Sequence, residues 1–160
     1  MLYVEIGAVI LLIVINGLLA MSELSIVSSR PARLKAMADR NVRGAGRALK
    51  LSADPGRFLS TVQIGITLVG VFSGAFSGAT LGQRLGETLI QYGVPYRMAG
   101  AIGVGIVVAL ITYGSLIIGE LVPKQIALRN PERIACLVAP AMTILAKAVS
   151  YTHLTLPTKA

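Results

Sequence analysis

The sequence predicts an all-α membrane protein with three transmembrane helices plus juxtamembrane amphipathic helices. Three observations predict it. Of the 160 residues, 54% are hydrophobic and only 14% charged, against about 25% charged in an ordinary soluble domain. The apolar residues are gathered into long runs without charge, and the mean hydropathy is +0.75. The basic residues are segregated: residues 28–57 hold eight of the 15 Lys+Arg but only two acids, Asp39 and Asp54.

The same numbers exclude several function classes. A net charge of +8 suggests nucleic acid, but aromatic residues are 5%, too few for base-stacking platforms. A basic loop between apolar runs is what the positive-inside rule expects of a cytoplasmic loop. One cysteine and one histidine leave no disulfide framework, no Cys- or His-rich metal site and no visible nucleophile–base pair. The chain is therefore expected not to be an enzyme.

The elements follow in order. Ile6–Met21 is a 16-residue apolar run broken only by Asn16, and it extends past Ser22 and Glu23 to Val27. It has no basic n-region and no small-x-small cleavage pattern, so it reads as a span over about 3–27 rather than a signal peptide. In the loop, apolar residues alternate with Arg33, Lys35 and Arg40, then with Arg47 and Lys50. That patterning predicts two short amphipathic helices at the membrane surface, their basic side chains facing anionic headgroups.

Phe58–Gln83 is 26 residues without a charge, a second span over about 58–82. Gly70, Gly74 and Gly78 form a small-xxx-small stripe for close helix contact. Gln63, Thr67, Gly70 and Gly74 share one face. Residues 84–97 carry few charges and are expected to be the outside loop.

Met98–Gly119 is a third uncharged run, of 22 residues, giving a span over about 98–119. Thr112, Ser115 and Gly119 lie on one face. Ile134–Ala146 is apolar for only 13 residues and contains Pro140. It reads as a re-entrant or interfacial helix over about 134–149. Residues 151–160 change character abruptly, reading as an appended, non-native tail that neither continues the helix nor starts a domain, and are left unassigned. The resulting topology has the N-terminus outside and the C-terminus cytoplasmic, in the plasma membrane.

Carboxylates in or near a span are functional candidates by default because they are costly there. Glu5 falls at the outer interface. Glu23 and Glu120 sit near inner helix ends, where pairing with Arg30 or Lys124 is the plain alternative. Pro123 sharpens the case for Glu120. Proline has no N–H, so a helix through it leaves the carbonyl of Gly119 without its partner. A freed backbone oxygen beside a carboxylate is a partial site for a hard cation such as Mg²⁺; a proline that merely ends the helix is the alternative. Ser22, Thr67 and Gln63 are further oxygen donors, and Asn16 is one more intramembrane amide. Each of these polar groups also suits a plain interhelical or i−4 hydrogen bond.

Ser22-Glu23 on a first span, the basic loop, Thr61-Val62-Gln63-Ile64-Gly65 opening the second and Gly119-Glu120-x-x-Pro123-Lys124 ending the third resemble the transmembrane domain of the CorC/cyclin M (CNNM) family. Its bacterial members are often labelled hemolysin-related. The resemblance covers about residues 3–150. It implies a homodimer in the lipid bilayer that exports Mg²⁺, with Na⁺ exchange proposed. It also implies an ion held by a Ser, an Asn, a Gly carbonyl and a Glu. Glu120 takes the Glu position and Gly119 that of the carbonyl. Ser22 is the candidate serine, although an alignment pointing to Ala20 leaves no ligand there. The family's asparagines fall where this chain has Ile66 and Gly70, with Thr67 or Gln63 as substitutes. Relatives usually continue into cytosolic CBS modules that bind ATP. The chain is expected to be the membrane part of a longer protein, with ATP acting only through such modules. A non-transporting membrane anchor or sensor is the rival expectation. A pore-forming toxin fits spanning helices of this kind poorly.

Overall fold

The computed structural model describes residues 1–154, and the described residues are helices joined by short turns. In order they are α1 (Leu2–Ser28), α2 (Pro31–Asp39), α3 (Ala45–Ala53), α4 (Pro55–Ser77), α5 (Gln83–Gln91), α6 (Tyr96–Leu116), α7 (Val122–Arg129) and α8 (Pro131–Leu154). Two π-helical turns, Gly78–Gly82 and Ile117–Leu121, join α4 to α5 and α6 to α7. Four helices are long and apolar enough to cross a membrane: Leu2–Ser28, Pro55–Gln91, Tyr96–Arg129 and Pro131–Thr152.

Several sequence expectations change at this level. The second and third runs do not stop where their apolar residues do. Pro55–Gln91 is one 37-residue helical stretch and Tyr96–Arg129 one of 34. At 1.5 Å per residue these reach about 55 and 51 Å, well beyond a ~30 Å hydrocarbon core. The expected outside loop at 84–97 therefore shrinks to the turn at 92–95, because the polar residues of Gln83–Gln91 continue the helix. The short apolar piece at 134–146 is the middle of a 24-residue helix, α8, with Pro140 inside it. The expected break at 151 is not there, since α8 runs on to Leu154. The rest of that tail, 155–160, lies outside the described residues. The two amphipathic helices read from the basic loop appear as α2 and α3.

The chain divides into two compact units. The first joins Met1–Leu18 with Ile66–Val122, and the second joins Leu19–Gly65 with the chain from Pro123 on. In the first unit α5 and the Gly78–Gly82 turn pack on α6 through glycines. A Cβ on Gly103 would stand 2.5 Å from the Gly86 nitrogen and 2.6 Å from the Gly82 oxygen, and one on Gly82 would stand 2.8 Å from the Cα of Val104. Small residues permit this backbone approach, which supplies dispersion contacts where lipid removes the hydrophobic drive between helices. The glycine stripe foreseen for that role lies elsewhere: Gly70 and Gly74 have nothing within 4 Å of an added Cβ, and Gly78 meets only Val104 and Val108 at 3.7 Å. Arg84 on α5 donates to Glu5 on α1 at 2.9 Å.

The second unit holds the largest fully buried side chains, Phe58, Ile26, Leu34 and Val62. Its α3 packs on α8, and Ala45 and Ala48 of the one and Ala135 and Ala139 of the other are fully buried. Ser22 and Ser25 on α1, and Ser29 just after it, are buried. The hydroxyls of Ser25 and Ser29 donate to α1 carbonyls, those of Ser22 and Ser25. These two serines thus pack as small, internally satisfied residues. Glu132, 7% exposed, receives the backbone N–H of Arg30 at 3.3 Å and lies 3.7 Å from the Arg33 guanidinium. Arg30 is the N-cap of α2 and Glu132 sits in the first turn of α8. One carboxylate thus complements the positive ends of two helices.

Pro140 has the consequence that its chemistry requires. It leaves the carbonyl of Cys136, four residues earlier, without a helical donor. Gly44, at φ 80°, packs against that carbonyl, and an added Cβ would lie 2.0 Å from its oxygen.

Two stability predictions follow from these approaches. Gly44→Ala combines left-handed strain with a backbone clash and is expected to cost at least about 2 kcal/mol. That is a loss of roughly 4–8 °C in Tm of the detergent-purified chain, while Gly46→Ala, with nothing within 4 Å, leaves Tm unchanged. Gly103→Ala is expected to lower Tm comparably, and Gly74→Ala not to lower it, since its added Cβ meets nothing within 4 Å and Ala is the better residue in a helix interior. Equal melting of the four variants would contradict the assignment of close contacts.

Candidate functional site

The first unit contains a cavity of about 160 Å³ built from three helical segments. Asn16 of α1 contributes from one side. Gly70, Ser73, Gly74 and Ser77 line it from α4, at the i, i+3, i+4, i+7 spacing of one helix face. Val108, Ile111, Thr112, Ser115 and Leu116 line it from α6, and Glu120 from the following π-turn. Two members of the glycine stripe, Gly70 and Gly74, thus serve as cavity wall, while Gly78 faces Val104 and Val108 of α6. Without side chains at 70 and 74 there is room, where a larger residue would fill the space.

The π-turn Ile117–Leu121 lies just before Pro123. Pro123 cannot donate to the Gly119 carbonyl. The ladder is re-spaced, and the N–H of Val122 bonds to the carbonyl of Ile117, five residues back. Such wide turns cluster at functional sites. The freed Gly119 carbonyl accepts a hydrogen bond from Asn16 Nδ2 at 3.2 Å. Gly119 is buried, and an added Cβ there would stand 3.3 Å from both Asn16 Nδ2 and the Ile13 carbonyl.

That bond fixes the orientation of the Asn16 amide. Because the Gly119 oxygen accepts, the nitrogen must face it, and Oδ1 points the other way. Asn16 is 8% exposed and its Oδ1 is buried with no hydrogen-bond partner among the described residues. Ser73 Oγ, on a residue 5% exposed, is in the same condition. Ser77 Oγ, by contrast, donates to the Gly74 carbonyl at 3.1 Å. Buried acceptors without donors are costly. Two of them lining one cavity beside a carboxylate make a place where a cation or ordered water is stabilised.

Of the site residues read from sequence, Glu120 and Gly119 are brought together with Asn16, as adjacent residues of one turn against one amide. Thr67 belongs to the same unit but is exposed and outside the cavity lining. Ser22 and Gln63 belong to the second unit, Ser22 fully buried and Gln63 exposed. The face Thr112–Ser115–Gly119 is real: Thr112 and Ser115 line the cavity and Gly119 bonds to Asn16. Sequence reasoning missed Ser73 and Ser77, although their spacing with Gly70 and Gly74 carried the signal. It noticed Asn16 without seeing that the freed carbonyl was its partner.

Comparison with known proteins agrees with this architecture. Residues 6–155 match the family described as cyclin M transmembrane N-terminal domain. The UPF0053 protein sll0260 of Synechocystis is 49% identical over 143 residues, 89% of this chain and 32% of that protein. The UPF0053 protein YhdT of Bacillus subtilis is 28% identical over 128 residues, 80% of this chain and 28% of that protein. The polyamine export protein of Salmonella typhimurium is 38% identical over 63 residues, 39% of this chain and 14% of that protein. The chain therefore spans a third or less of the length of these curated relatives. With four helices able to cross a bilayer and a match over most of its length, it is a multi-pass membrane chain that belongs to the cyclin M transmembrane family.

Proposed function

We propose that this chain is the membrane-crossing part of a cation exporter and that its cargo is Mg²⁺, moved outward by alternating access in a homodimer, with Na⁺ as the coupled ion. One observation carries the reading. A single cavity is lined by Glu120 and by Asn16 and Ser73, whose buried oxygens have no hydrogen-bond partner among the described residues, while the neighbouring Gly119 carbonyl holds the Asn16 amide in place. All are hard oxygen donors, the kind Mg²⁺ takes in near-octahedral array at about 2.1 Å. No sulfur or imidazole lines the cavity, which disfavours softer metals. A volume of about 160 Å³ holds roughly five waters at ~30 Å³ each, enough for an ion that keeps part of its hydration shell. One carboxylate neutralises Na⁺ fully and Mg²⁺ by half, so the two ions would compete for it in turn. Thr67, in the same unit, is a further proposed oxygen donor outside the cavity lining, and Ser22 and Gln63 stand as donors proposed from the sequence alone.

In this reading the basic segment 28–57 faces the cytoplasm of a cell whose plasma membrane the chain crosses. The N-terminus is outside, and α8 lies along the inner interface over about 134–149, leaving the C-terminal part cytoplasmic. The chain acts as a conduit and not as an enzyme. The name of the Salmonella typhimurium relative favours a second cargo, a polyamine. An extended polycation is best held by acceptors spaced along a groove, whereas this cavity offers one carboxylate.

Calorimetry on the detergent-purified chain separates the cargoes. Saturable Mg²⁺ binding is expected in the wild type, abolished by Glu120→Gln and not displaced by spermidine. Pro123→Ala returns an N–H to compete for the Gly119 carbonyl and is expected to weaken Mg²⁺ by up to about tenfold, the worth of one hydrogen bond. Ser22→Ala, Thr67→Ala and Gln63→Ala provide the comparison set. Undiminished binding in Glu120→Gln would overturn the site, and no binding in any form would favour a non-transporting anchor.

The topology has its own check. In a Cys136→Ala background, Arg47→Cys and Tyr151→Cys are both expected to react with impermeant maleimide only from the cytoplasmic side. Labelling from opposite sides would make α8 a further crossing.

A further inference from the structure

We propose that the basic cleft between α2 and the start of α8 binds the phosphate of an anionic phospholipid. The cleft has a volume of about 450 Å³ and its lining includes Arg33, Met37, Arg40, Asn130, Glu132 and Arg133. Its charge balance points to an anion. The one carboxylate, Glu132, is 7% exposed and already engaged by the Arg30 N–H and the Arg33 guanidinium. Arg40 and Arg133 are exposed and form no ion pair among the described residues. Two guanidiniums, each a planar fork suited to bidentate phosphate contact, therefore face the cleft without an answering charge.

Position selects the source of the phosphate. The cleft lies where α2 follows the end of α1 at Ser28 and where α8 begins at Pro131, and both α1 and α8 are long and apolar enough to enter a bilayer. Such helix ends stand at headgroup depth, where basic pockets collect anionic lipid. The half-buried Met37 supplies an apolar surface beside the guanidiniums, suited to the glycerol end of an acyl chain. A second cleft, of about 580 Å³, repeats the pattern against α8, with Arg43 and Arg47 beside Pro140. The residue choice is consistent as well: of the eight basic residues in 28–57, six are arginine and two lysine. None of these groups takes part in the proposed cation cavity.

The test uses the whole chain purified in detergent, with thermal unfolding followed against short-chain phosphatidylglycerol, short-chain phosphatidylcholine and sodium phosphate. Phosphatidylglycerol is expected to raise Tm saturably. The half-saturating concentration should rise about 10- to 30-fold in the Arg40→Gln/Arg133→Gln double variant, at ~1 kcal/mol per basic residue. It should stay unchanged in Arg57→Gln, which lines neither cleft. Lipid retained through purification, counted by native mass spectrometry, gives the same comparison should the double variant start from a lower Tm. Equal stabilisation by phosphatidylcholine, or an unmoved half-saturation and retained-lipid count in the double variant, would overturn the site. Inorganic phosphate reproducing the whole shift would assign it to a soluble anion and overturn the lipid.

Discussion

The carbonyl that a proline leaves without a donor is the constraint around which this chain is arranged. A backbone oxygen cannot be left bare in hydrocarbon, where no water replaces the lost bond. Pro123 creates one at Gly119, and Asn16 answers it from α1 at 3.2 Å. Pro140 creates one at Cys136, and the backbone of Gly44 closes on it. In each case the local defect becomes a tertiary contact, because the orphan oxygen must be covered by another segment. A π-turn lies at the first defect, and Glu120, in that turn, lines the cavity that Asn16 also lines.

Small residues do two different jobs in the first unit. Gly82, Gly86 and Gly103 let backbones touch, so they behave as a rigid seam. A Cβ added at Gly70 or Gly74 would meet nothing within 4 Å, and both glycines line the open cavity. The distinction has a physical basis. Where a facing helix also offers glycine, as at Gly103, contact is favourable. Where the facing residues are Thr112, Ser115 and a carboxylate, the space between them stays polar. Ser73 and Asn16, each with a buried oxygen that has no partner among the described residues, line the volume that is left unfilled.

The second unit has a different character. Its residues hold basic surface over an interior in which Phe58, Ile26, Leu34 and Val62 are buried together with small alanines and serines. Glu132 ties the starts of α2 and α8 together, and by occupying itself with Arg30 and Arg33 it leaves Arg40 and Arg133 free to face an external anion. Charge segregation that follows the positive-inside rule is thus given a specific geometry.

Much of this was legible in the residues alone. Uncharged runs of 22 and 26 residues can only be stable as helices in a bilayer, and Pro123 by itself dictates that the Gly119 carbonyl is orphaned beside Glu120. The helix ends were less legible, because polar residues such as those of Gln83–Gln91 continue a helix on grounds of backbone hydrogen bonding that hydropathy does not register. The start of α8 at Pro131 was hidden for the same reason. Which group answers the freed carbonyl was beyond reach, since Asn16 is 103 residues away and nothing local distinguishes it from any intramembrane amide. The same holds for the glycine stripe: spacing places Gly70, Gly74 and Gly78 on one face, but only the residues opposite decide whether that face becomes a seam or a cavity. Sequence alone determined which groups would be left wanting partners, because covalent chemistry sets that; the tertiary structure decided which partners they received, because that depends on segments brought together from across the chain.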